Sequence, residues 1–480
     1  MMGSVVSSSE EDILDLDITA ISHAIKEKKF SITSIVAAYI QRQQQINPIL
    51  NAVIEDRYEE AMEEAQEMDR YLENHPPTSP LFGIPISIKE SIHVAGMKTT
   101  GGLEHRKDLI ARHDAEVITK LKQSGAIILG KTNTPALCFC QETDNKLYGR
   151  TNNPWDITRT CGGSSGGEGA LLAAGGAVAG IGSDIGGSIR FPSHFNGVVG
   201  FKPGCNQIPS NGHFPSVTND MQARMLTIGP MGKTVRDMEL LYSILSSCEP
   251  EDHSLREFKI DILPSNISLP LSLETKNLLN DVEKVVMRSF STYRRIPPLF
   301  EESTQLWQEM ISSNGSDLIE KAAYHNDRSN IIKAFLKEKV TERTRIRPYL
   351  SKAILGSKLF QPSISRINEI KEIISNGDQR IHAYLKNRLL IFPVYHTGAL
   401  PHGKVYQQVF SIRRKFLTYM PYVAYANVWG LPSLTLPIGK DDNNMPIAIQ
   451  IMSNIGNENA VFRLGKMLEK KYGGYHRCPL

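Results

Sequence analysis

Two patterns of apolar and polar positions alternate along the chain. Across residues 31–46 apolar side chains recur at helical spacing, with Ser31 placed to cap that helix and Asn47 and Pro48 to stop it. Residues 55–72 predict a second helix, charged and amphipathic. The run FGIPISIKESI (82–92) breaks the period. It is β-branched and apolar, the composition of a buried strand, and carries Lys89 at its end. The alternation then repeats, with a helix at 115–124, a buried strand at 126–131, a small-residue helix and then a strand within 170–182, and a strand at 198–202. Further core strands are predicted at 389–394, 434–437 and 447–452, before a closing helix at 457–470. Helix and strand in alternation predict an α/β fold around a mixed, mostly internal sheet.

Candidate chemistry concentrates in GGSSGGEGALLAAGGAVAGIGSDIGGSIR, residues 162–190, where two glycine-rich turns carry Ser164 and Ser188. A serine in one such turn is ordinarily turn chemistry. Two turns joined by one short apolar unit, with Gly186 and Gly187 directly before Ser188, predict a site where a carbonyl can approach backbone N–H groups, as in an oxyanion hole. A serine hydroxyl needs a base, and no Ser/His/Asp pattern accompanies these residues. Lys89 can be that base only when neutral. Its reference pKa of about 10.4 must fall by about 3 units, roughly 4 kcal/mol, to serve near neutrality. Taken alone, Lys89 also fits a lysine snorkelling from a strand end.

GIPISIKES with Lys89, GGSSGG with Ser164 and SDIGGSIRFP with Ser188 resemble the amidase signature family of serine hydrolases. The resemblance extends through DNKLYGRTNNPWD (144–156) and ANVWGLPSLTLPIG (426–439), covers residues 17–480, and is weakest between 250 and 387. Within the family it runs most strongly toward the fatty-acid amide hydrolases. It implies one large α/β domain, a mixed sheet covered by helices on both faces, with 250–387 a variable cap or substrate-channel region. It implies Ser188 as nucleophile, Ser164 as a bridging serine held by a cis peptide, and Lys89 as general base. The backbone N–H groups of Ile185, Gly186, Gly187 and Ser188 are implied as the oxyanion hole. Asp184 and Arg190 flank the nucleophile as supporting residues that hydrogen-bond loop backbone or pair with each other. The implied substrate is a lipophilic amide, with no metal and no organic cofactor. A homodimer is left open, as are an amidotransferase-like subunit hydrolysing glutamine and a small-substrate amidase or esterase.

Composition narrows the partners. The chain has 480 residues, 41% hydrophobic and 22% charged, and its net charge of +3 is too small to argue for nucleic acid. Its six cysteines show no metal-ligand spacing, which predicts reduced thiols and a cytoplasmic setting. No apolar run reaches the roughly 18–20 residues that span a bilayer, whereas fatty-acid amide hydrolases typically begin with a membrane segment. Residues 1–16 are polar and acidic, which predicts disorder. The basic and apolar run 335–360 fits a solvated helix face or a peripheral membrane contact. TIGPMGKT (227–234) imitates the end of a phosphate-binding loop without its first glycine and is taken as a turn and helix start. His396 and His402 are placed to line a pocket without a triad role.

Overall fold

The computed structural model describes residues 13–314, 317–325, 346–410 and 413–480. Residues 1–12 and 335–345, part of the predicted tail and basic run, lie outside them.

Eleven strands form one sheet: β1 (Val53–Asp56), β2 (Pro85–Lys89), β3 (Ile127–Thr132), β4 (Ala179–Asp184), β5 (Val199–Lys202), β6 (Thr227–Gly232), β7 (Lys259–Ile262), β8 (Thr292–Arg294), β9 (Arg388–Pro393), β10 (Ser433–Lys440) and β11 (Pro446–Met452). Their order is β1-β3-β2-β4-β6-β5-β10-β11-β9-β7-β8. Strand β2 runs parallel to β3 and β4, and β7 parallel to β8 and β9; the remaining pairs are antiparallel. Both faces are buried, as the period-2 geometry of a strand makes visible in β9. Leu389 and Ile391 enter one apolar core, packed by the helices Ile18–Lys26, Val235–Leu245 and Glu458–Tyr472. Leu390 and Phe392 enter a second, packed by Phe300–Ile311 and Pro421–Val428. The fold is the expected mixed α/β sheet with helices on both faces.

The helix predicted at 31–46 runs from Ile32 to Leu50, through Pro48 rather than stopping before it. Proline there removes a single donor in the last turn, and Asn47 completes that end. Its Oδ1 accepts from the N–H groups of Ala52 and Val53 at 2.8 Å each, and its Nδ2 donates to Val53 O at 2.8 Å. The next segment turns into β1, so the amphipathic helix begins only at Tyr58. Residues 227–232 are a buried strand, β6, rather than a turn. Pairing of β6 with β5 is confined to Met231 and Gly232, which accommodates Pro230 in a central strand. Thr234 then caps the helix Val235–Leu245. Lys233, the lysine of the phosphate-loop look-alike, is buried and donates to the carbonyls of Leu14 and Leu16 at 2.6 and 2.7 Å. It fastens the segment in which Ile13 and Leu14 are buried in the first core. Among the described residues, no helix is long and apolar enough to cross a membrane.

Candidate active site

The alternation of β2 delivers the lysine. Ile86 and Ile88 point into the first core, so Ser87 and Lys89 face the opposite side. Parallel pairing of Ser87 with Gly180 and of Ile88 with Ile181 sets Lys89 beside the end of β4, from which Ser183 and Asp184 project. Lys89 is fully buried, and its Nζ lies 2.6 Å from Ser164 Oγ and 2.9 Å from Ser183 Oγ. The Gly163–Ser164 peptide is cis. The Ser165 N–H donates to Ser188 O at 3.1 Å and ties the two glycine-rich turns together. The structure thus pairs Lys89 with Ser164 and sets the Ser188 turn beside them, with Ser188 alone of the three lining the adjacent cavity.

Asp184 and Arg190 build the scaffold under Ser188. Asp184 accepts from the N–H groups of Gly187 and Ile189 at 2.8 and 3.1 Å, and from Arg190 Nη2 and Nε at 3.1 Å each. Asn427 Nδ2 adds a bond of 2.9 Å, while Arg190 Nη1 donates to Val423 O and Gln450 Oε1 at 2.9 and 3.0 Å. Burial alone would raise the Asp184 carboxyl, but the Arg190 charge and these bonds outweigh it and hold the group far below the usual range.

That network changes the expected oxyanion hole. The Gly187 N–H, one of the four donors implied by the resemblance, is already given to Asp184. The N–H groups of Ile185, Gly186 and Ser188 have no acceptor among the described residues. The glycines have a further purpose. A Cβ on Gly186 would stand 2.6 Å from the Trp307 ring, and Gly187 sits at φ +89°, where a side chain is strained. The space at Gly186 is filled by the indole of Trp307, whose Nε1 donates to Ile185 O at 2.7 Å and whose ring stacks on Phe416 at 5.4 Å between centroids. Gln141 Nε2 holds Gly186 O at 3.2 Å.

Burial pushes the Lys89 ammonium down, the direction a base requires, while nearby Cys138, Asp184 and Glu168 act the other way. Cys138 shows the reciprocal effect. Burial would raise its thiol, but the Lys89 charge, the largest opposing effect, draws it down to about 6. Glu168 lies behind β2, accepting from Ser87 Oγ at 2.5 Å and Thr132 Oγ1 at 2.9 Å, with its carboxyl raised to about 7 by burial. Trp307, Cys138 and His213 carry no local motif.

The cavity in front of Ser188 has a volume of about 340 Å³ and includes Phe139, Ile185, Trp307, Ile311, Val409 and Phe416 in its lining. None of its described lining residues is Asp, Glu, Lys, Arg or His. His396 and His402 lie elsewhere, bonded to Gln408 Oε1 and to Ile157 O. All six cysteines are free thiols. Among the described residues, no group of three or more His, Cys, Asp or Glu is placed to hold a metal ion.

The chain is similar to known proteins over nearly its whole length. The family model described as Amidase matches residues 34–462. Human fatty-acid amide hydrolase 2 is 30% identical over 498 residues, spanning 98% of this chain and 91% of that protein. A glutamyl-tRNA(Gln) amidotransferase subunit of Clostridium acetobutylicum is 29% identical over 96% of this chain and 100% of its own length. A solved fatty acid amide hydrolase superposes with a TM-score of 0.82 at 20% identity, covering 98% of this chain and 87% of that one. A family match across residues 34–462 and a relative 30% identical over nearly the whole chain place this protein in the amidase signature family.

Proposed function

We propose that the protein hydrolyses lipophilic acyl amides, of which fatty-acid amides are the representative class, through an acyl-enzyme on Ser188. The observation that carries this reading is the largely apolar cavity opening on Ser188, with no Asp, Glu, Lys, Arg or His among its described lining residues. Neutral Lys89 takes the Ser164 proton while Ser164 takes that of Ser188, as Ser188 Oγ bonds to the amide carbon. The N–H groups of Ile185, Gly186 and Ser188 receive the developing oxyanion. The C–N bond then breaks, the departing amine carries the proton away, and water releases the acyl group by the same route in reverse.

Glutamine is the contrasting substrate, suggested by the amidotransferase relative. Its α-carboxylate calls for a cationic partner, and no Lys, Arg or His is among the described lining residues. Hydrolysis of a series from glutamine and short aryl amides to long-chain primary amides and ethanolamides tests the proposal. The expected result is kcat/KM rising with acyl length and little ammonia from glutamine. A preference for glutamine or short polar amides would overturn the lipophilic assignment.

The lysine base also predicts a pH dependence. Activity rises with pH as Lys89 loses its proton, and Cys138 raises the pKa of that step. Cys138→Ala is therefore expected to move the acidic limb of the kcat/KM profile to lower pH. An unmoved limb would show that Lys89 does not feel Cys138.

A further inference from the structure

The polar chain behind Ser164 continues past Lys89. Ser183 Oγ, 2.9 Å from Lys89 Nζ, is also 2.9 Å from His213 Nε2. On the far side of the buried ring, His213 Nδ1 faces Pro215 O at 3.1 Å. A carbonyl oxygen can only accept, so Nδ1 carries a proton, and Nε2 of the neutral ring is an acceptor. Ser91 Oγ is a second and longer neighbour of Nε2, at 3.2 Å. Cys138 and His93 are titratable groups near the ring.

This tautomer dictates the direction of the neighbouring hydrogen bonds. Neutral Lys89 has two N–H bonds and one lone pair. A Ser183 hydroxyl turned toward Nζ would occupy the lone pair that must receive the Ser164 proton. With Nε2 accepting that hydroxyl, Ser183 Oγ instead accepts an N–H from Lys89, and the lone pair is left for Ser164 Oγ at 2.6 Å.

We infer that His213, acting through Ser183, is a positioning residue that aims the lone pair of Lys89 at Ser164. The inference rests on the proposed roles of Lys89, Ser164 and Ser188. Protons balance without involving the ring. During acylation one proton passes from Ser188 to Ser164 and one from Ser164 to Lys89. The ammonium then donates to both Ser164 and Ser183, while Ser183 and His213 keep their own protons.

The test compares steady-state kinetics of His213→Leu, His213→Gln, Ser183→Ala, the His213→Leu/Ser183→Ala double variant and Ser188→Ala on a long-chain acyl amide. His213→Leu and Ser183→Ala are each expected to lower kcat about 10- to 100-fold with KM nearly unchanged. His213→Gln, whose Oε1 accepts in place of Nε2, is expected to restore most of kcat. The double variant is expected to be no slower than the slower single one, because both substitutions break one relay. Losses that multiply in the double variant, or no rescue by His213→Gln, would overturn the inference in favour of independent packing roles. If His213→Leu does not fold, Ser183→Ala still decides, since wild-type kcat there overturns the relay. Turnover surviving in Ser188→Ala overturns the underlying hydrolase reading. A dead Ser188→Ala beside a fully active His213→Leu overturns the relay alone.

Discussion

Ser188→Ala is expected to lower kcat for amide hydrolysis by about 10⁴-fold or more, the range found when a serine hydrolase loses its nucleophile. Ser188 is the member of the serine–lysine cluster that reaches the cavity, so a substrate carbonyl meets it first. Removing one oxygen from a nearly buried side chain leaves the Asp184 network and the free N–H groups of Ile185 and Gly186 in place. Substrate binding and melting temperature are therefore expected to persist while turnover and labelling by a fluorophosphonate probe disappear. A loss of less than about tenfold would mean that another group attacks the carbonyl.

Arg190→Met is expected to destabilise the fold by about 3–5 kcal/mol, measured by urea unfolding at neutral pH. The ion pair with Asp184 is fully buried, so removing one partner strands the other. The sign of its pH dependence separates this cause from lost packing. In the native protein the Asp184 carboxyl lies below its unfolded value of about 3.9, despite burial, because Arg190 outweighs burial. The stability it contributes is present above that value and lost as pH falls. Without Arg190, burial dominates and lifts the folded pKa above the unfolded one, so the variant gains stability as Asp184 takes up a proton. The difference between the two proteins should narrow from pH 7 toward pH 4. A constant difference would assign the loss to packing.

Much of this architecture was legible because its signals are contiguous. The strand ending in Lys89 and the turns holding Ser164 and Ser188 each lie within a dozen residues, and Lys89 Nζ meets Ser164 Oγ at 2.6 Å. Pro48 and the segment 227–232 misled because proline and glycine are read as breaks. The Asn47 cap and the one-sided pairing of β6 remove the usual cost of each proline. Trp307 and His213 were not legible as parts of the site. Trp307 meets Ile185 across 122 positions, and His213 meets Ser183 across 30, distances over which no periodicity carries information. The fate of the Gly187 N–H was hidden for another reason. A motif names the residues of a loop without saying which donor its own aspartate has already taken.

The Trp307 strut couples two properties that selection would otherwise tune separately. One indole walls the cavity and also holds the Ile185 carbonyl. A descendant that widened its substrate range by shrinking this side chain would slacken the turn proposed to receive the oxyanion, losing speed as it gained breadth. Divergence in selectivity is thus channelled toward wall positions such as Ala353, Phe360 and Val409, supplied by other parts of the chain. The helix Phe300–Ile311, although it lies in the stretch where the family resemblance is weakest, is tied to the Ser188 turn through Trp307.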